Sequence, residues 1–133
     1  GQTAEIDINL NGAGERVAGA SLKLSFDPNK IEIIDQASNQ AKTITQTDAF
    51  SLVINNQVEG GTITFNAVTD PTGPFLSGEV KIASIKIKAI QAGSSNISFD
   101  FTPGATSDTN VAGADSGTDL LSRVENATIT ITK

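Results

Sequence analysis

No histidine and no cysteine occurs among the 133 residues. The commonest general base and the thiolate nucleophile are therefore both absent. Serine is plentiful, but no Gly-x-Ser-x-Gly elbow is present to lift one out of a strand-to-helix turn. A pair of Asp or Glu carboxylates is the remaining hydrolytic arrangement, the one glycosidases use. The acidic residues fall mainly on outward strand positions and in loops, where a solvated surface is their ordinary role. The chain reads as non-catalytic.

Metal ligation is the next chemistry to weigh. From Asp108 the chain runs Asp-Thr-Asn-Val-Ala-Gly-Ala-Asp-Ser-Gly-Thr-Asp, so Asp108, Asn110, Gly113 and Asp119 take the first, third, sixth and twelfth places of a calcium loop. Ala112 supplies no side-chain oxygen at the fifth place, Ala114 offers only its carbonyl, and no helical pattern flanks the stretch. Calcium is thus a possible but not a required cofactor, with Asp108, Asn110 and Asp119 as its candidate ligands. A covalent Lys–Asn cross-link would need a buried Lys on an early strand. The first strand has none, and Lys23 points with Ser21 and Ser25 away from the apolar side.

The elements that would carry these residues are strands. Ala20, Leu22, Leu24 and Phe26 alternate with Ser21, Lys23 and Ser25, the period of two of a strand with one buried face. The run stops at Asp27-Pro28-Asn29-Lys30, where Pro28 presets φ and the Asp27 carboxylate can take a nearby backbone N–H. Eight strands are expected, at 4–10, 18–26, 31–35, 50–55, 62–68, 79–90, 95–101 and 127–131, with no helix and a long polar loop over 36–48. Phe50, Leu52 and Ile54 are expected to point inward, and the hairpin through Gly60-Gly61 to have a loop longer than two residues. Val80 and Ile82 share one parity but Ile85, Ile87 and Ala89 the other, which predicts a β-bulge near Ala83-Ser84. Strands of this spacing indicate one two-sheet antiparallel sandwich over residues 1–133.

Composition narrows the partners. A net charge of −6 disfavours nucleic acid and anionic membranes, and no apolar run is long enough to span a bilayer. Six Phe stand without any Trp or Tyr. Phe26, Phe65, Phe99 and Phe101 occupy inward positions, Phe50 joins them, and Phe75 is the one expected at the surface. A flat aromatic platform for sugars cannot be built from these.

Ser25-Phe26-Asp27-Pro28 followed by Ile31-Glu32-Ile33 resembles the strand-corner pattern of cohesin modules, part of a wider carbohydrate-binding-like group of sandwiches. Gly61-Thr-Ile-Thr-Phe-Asn-Ala, the stretch from Gly73-Pro-Phe-Leu-Ser-Gly to Ile85-Lys-Ile-Lys-Ala, and Asn126-Ala-Thr-Ile-Thr-Ile resemble later cohesin segments in the same order. The resemblance implies a jelly-roll topology and a sheet face offered to a dockerin, a small helical module with calcium loops. On the matching strands the outward residues are Ser21, Lys23, Ser51, Val53, Thr64, Asn66, Ser98 and Asp100. Where one cohesin subtype carries a paired Asn and Asp before the Asp-Pro corner, this chain has Gly19 and Ser21.

The resemblance thus implies an extracellular, bacterial or archaeal module for protein–protein attachment or spacing. A carbohydrate-binding module linked to polysaccharide degradation and a calcium-dependent adhesin are the alternatives. Gly1-Gln2-Thr3 resembles the turn that follows the first cohesin strand, so that strand is expected to be absent. Ala4–Leu10 and Ala127–Thr132 are then expected either to pair directly or to accept a strand from a second copy, giving a swapped homodimer.

Overall fold

The alternation around Leu22 and Phe65 builds the centre of the molecule. In the computed structural model, which describes residues 3–12, 16–35, 37, 39–70, 72–100, 109–114 and 127–131, ten strands are assigned. They are β1 (Thr3–Asn11), β2 (Val17–Ser25), β3 (Ile31–Ile34), β4 (Thr45–Gln46), β5 (Leu52–Glu59), β6 (Thr62–Val68), β7 (Glu79–Ala89), β8 (Gly93–Phe99), β9 (Asn110–Gly113) and β10 (Ala127–Ile131). All pairings among them are antiparallel.

One sheet has β7 at its centre, with β1 on one edge and β3 and β4 sharing the other. The second runs β10-β8-β2-β6-β5, with β9 also paired to β2. Ile8, Leu10, Ile31, Ile33, Ile82, Ala83, Ile85 and Ile87 of the first sheet meet Val17, Ala20, Leu22, Leu24, Ile63, Phe65, Ala67, Ile97 and Val111 of the second. Each large side chain taken fully into such a core contributes about 1.5–3 kcal/mol. The expected two-sheet sandwich is what forms.

The parity change in β7 is accommodated by a bulge. Ile8 faces Ala83 while Asn9 faces Lys81, so Ile82 is the extra residue and both Ile82 and Ala83 enter the core. The expected bulge is therefore present, one residue earlier than Ala83-Ser84. Ser84 is buried as well, and β4 pairs with Ala83 and Ser84 on the other edge of β7. The 36–48 stretch is accordingly not a plain loop: it contains β4, and Ile44 within it joins the core.

Two expectations about the β5–β6 hairpin fail. Its turn is the two residues Gly60-Gly61, since Glu59 pairs with Thr62 and both glycines have positive φ, 57° and 90°. That is the backbone a tight hairpin turn of matching twist requires. Leu52 and Ile54 do not point inward: they are 58% and 64% exposed. The register slips between Val53 and Asn55, leaving Ile54 as a bulge residue and turning Val53, Asn56 and Val58 toward the interior. Asn56 earns that place by closing two bonds on Ile44, whose N–H it accepts at 2.8 Å and whose carbonyl it reaches at 2.8 Å.

The edge expectation is also corrected. β1 pairs with β7 and β10 with β8, so the two strands sit in different sheets and do not close on each other. The reason is that the Gly93–Ile97 part of β8 offers β10 a full ladder.

Candidate functional site

The outward face of β5, β6, β2 and its neighbours is a set of cross-strand rows. Glu59, Thr62, Ser25 and Ser98 form one, and Gln57, Thr64 and Lys23 the next. A third row is Asn55, Asn66, Ser21 and Asn110, three amides and a hydroxyl. The fourth is apolar: Leu52, Val68, Gly19 and Ala112. Hydroxyls and amides thus fill the middle of the face around Lys23, with Glu59 in the row at one end and aliphatic groups at the other.

One joint holds the far side of this face. The ladder from β2 to β8 covers only Leu24 with Phe99 and Ser25 with Ser98, and that to β9 begins at Ser21. Lys23 lies between them and is served by a side chain. The Thr109 hydroxyl accepts from the Lys23 N–H at 2.9 Å and donates to its carbonyl at 3.0 Å. The Asp100 N–H donates to the same carbonyl at 2.7 Å, and Asp100 Oδ1 accepts from the Ser25 hydroxyl at 2.9 Å. Thr109 is itself 1% exposed, while the bonds of the joint are part-buried.

Of the eight residues expected on the face, Ser21, Lys23, Thr64, Asn66, Ser98 and Asp100 come together there. Ser51 is exposed just ahead of β5, where its hydroxyl accepts from the Asp70 N–H at 3.2 Å. Asp70 in turn accepts from the Thr72 backbone N–H and hydroxyl, which hold its carboxyl below the usual value. Val53 is the error: the register slip turns it inward against the core. What the sequence reading missed is the exposed pair Leu52 and Ile54, because simple alternation with Phe50 assigned them to the interior.

Gly19 has a steric role. A Cβ there would lie 3.2 Å from the Ala67 carbonyl oxygen and 3.3 Å from Val68 Cγ1, so Val68 lies across the space a side chain would need. Of the calcium candidates, Asp108 and Asp119 fall outside the described residues. Asn110 and Gly113 lie in β9, extended and paired with β2. Among the described residues no three carboxylates gather.

The sequence model of the cohesin domain family matches residues 1–124. The chain belongs to the cohesin family. Solved structures share the fold at low identity. The cohesin CaCohA2 of Clostridium acetobutylicum superposes with a TM-score of 0.74 at 21% identity, over 99% of this chain and 83% of that one. A non-cellulosomal cohesin of the archaeon Archaeoglobus fulgidus gives 0.70 at 20% identity, over 100% and 83%. The sixth cohesin of scaffoldin B from Acetivibrio cellulolyticus, solved in complex with a Cel5 dockerin variant, gives 0.75 at 13% identity, over 99% and 90%. No curated protein sequence matches the chain.

Proposed function

We propose that this cohesin domain is a non-catalytic, extracellular attachment module that binds a dockerin-type protein through the outward face of β5, β6, β2 and β8. The observation that carries this reading is the exposed pair Leu52 and Ile54, with half-buried Val68 paired to Leu52, beside the row of Asn55, Asn66 and Ser21. Scattered exposed leucines need no explanation, but a contiguous group on one face marks a contact surface. An aliphatic anchor beside unspent hydrogen-bonding groups suits a helical protein partner better than a charged polymer. Gly19 and Ser21 leave the middle of the face without long acceptor side chains, so recognition rests on the aliphatic group and the amides.

Titration calorimetry against calcium-loaded dockerins from the source organism tests this. Leu52→Ser combined with Ile54→Ser is expected to weaken binding by about tenfold or more while leaving the melting temperature unchanged, since both side chains are mostly exposed. Equal binding by the double variant would remove this face from the reading. No heat with any dockerin would leave a spacer role within a larger surface protein. A second reading concerns the outer edge of β1, which no strand covers among the described residues. Exchange of a strand between copies would appear as a dimer in light scattering, and a monomer at high concentration would dispose of it.

A further inference from the structure

Lys23 stands in the middle of the outward face, one row from the amides and two from the aliphatic end. Its neighbours along its own row are Thr64 and Gln57, both neutral. The rows on either side hold Ser21, Asn66 and Asn55, and Ser25, Thr62 and Glu59. Lys23 is exposed, while both polar groups of its backbone are held by Thr109 and Asp100. The ammonium is therefore presented from a fixed base.

Its charge is not answered within the fold. The chain carries 15 acidic residues against 9 basic ones, so carboxylates are in excess. Lys81 meets one of them, pairing with Asp7 at 3.1 Å on the other sheet. The Lys23 ammonium is in no ion pair among the described residues. Two carboxylates of the face are turned to neutral groups instead. Asp100 accepts from the Ser25 hydroxyl at 2.9 Å, and Glu59 from the Gln57 amide at 2.9 Å. A surface lysine is ordinarily solvated, but this one lies inside the area that a partner on the face would cover. An ammonium stripped of water under a partner is costly unless a carboxylate reaches it.

We infer that the helical partner carries an Asp or Glu that seats on Lys23, and that this pair selects among dockerins. The inference rests on the attachment role proposed above for the face. The strand sets the spacing. Gly19 in the aliphatic row and Lys23 are four residues apart on β2, about 13 Å. A helix laid along β2 rises that far in about nine residues. Its same face returns about seven and eleven residues from an apolar anchor, and the acid belongs at one of those places. A lysine or arginine there would meet Lys23 as a like charge, which excludes dockerins of that pattern.

Titration calorimetry with each calcium-loaded dockerin of the source organism, in about 50 mM and about 500 mM sodium chloride, tests it. For a dockerin that binds, Lys23→Gln is expected to weaken binding about tenfold in low salt, Lys23→Glu further, and Lys23→Arg hardly at all. In high salt the loss for Lys23→Gln should shrink to about threefold or less. Lys81→Gln should leave binding unchanged, and Lys23→Gln should keep the melting temperature, since its ammonium is in no ion pair of the fold. Converting the dockerin's acid to its amide should cost the wild type as much as Lys23→Gln does, and cost Lys23→Gln nothing more. The idea is overturned if Lys23→Gln binds as tightly as the wild type, or if Lys23→Glu binds tighter. It is equally overturned if the loss is the same in both salts, which would mean that the aliphatic stem of Lys23 packs against the partner. Should the Leu52/Ile54 double variant lose binding while Lys23→Gln does not, this inference fails and the attachment face stands. Should neither variant matter, or no dockerin bind, both fall.

Discussion

Thr109→Val asks whether a single hydroxyl completes the edge of β2. Valine keeps the shape of threonine and removes both bonds to Lys23. The Lys23 carbonyl still receives the Asp100 N–H, but the Lys23 N–H loses its acceptor. Thr109 is 1% exposed, so water cannot enter without opening the joint. An orphaned buried N–H costs about 1–3 kcal/mol, and the lost bond itself lies within that figure. Thr109→Ser keeps the hydroxyl and loses one buried methyl, about 0.8 kcal/mol with a small cavity. Valine is therefore expected to be the worse substitution by about 1 kcal/mol, although it fills the site better. Urea unfolding of the three proteins measures this, with the slope unchanged if only the native state is affected. Amide exchange at Lys23 should quicken in the valine protein alone. If valine proved as stable as serine at this position, packing rather than the hydroxyl would hold the joint and the reasoning would fail.

Asn56→Ala should cost about 2 kcal/mol in the same assay, since it strands both backbone groups of Ile44; a loss under a few tenths would show that water replaces the amide. Gly61→Ala should destabilise by about 2–3 kcal/mol, because φ is 90° and a Cβ would lie 2.8 Å from the Phe26 carbonyl oxygen, whereas Gly60→Asn, at φ 57° with nothing nearby, should be nearly neutral. Equal effects of the two would contradict the hairpin geometry. Asp70 has its folded pKa lowered below the usual 3.8 by the Thr72 N–H and hydroxyl, so its contribution is fully present above that pH and fades as pH falls through the folded value. Thr72→Ala should move the Asp70 carboxyl titration upward in an NMR pH series, and no movement would rule out the side-chain bond. Because Asn110 and Gly113 are paired in β9, EDTA is expected to leave the melting temperature unchanged; a drop would restore a calcium site near Asp108 and Asp119.

The amino-acid order alone determined the sandwich and most of its inward set. Leu22, Leu24, Ile63, Phe65, Ile85 and Ile87 alternate without ambiguity, and in a half-buried strand a one-residue slip would expose all of them. The Asp27 turn was legible too, and its carboxylate accepts the Asn29 N–H at 2.9 Å as local chemistry requires. Even the β7 bulge was written in the parity of its isoleucines. The slip in β5 was not. Phe50, Leu52 and Ile54 alternate as a buried strand would, and only the bonds of Asn56 to Ile44, twelve residues away, explain why Val53 and Val58 take the interior instead. The same holds for Thr109, whose partner Lys23 is 86 residues distant. Local patterning decides which side of a strand is apolar. Which edge a strand meets, and therefore which residues are left on a surface with unspent bonds, depends on groups brought together from far along the chain.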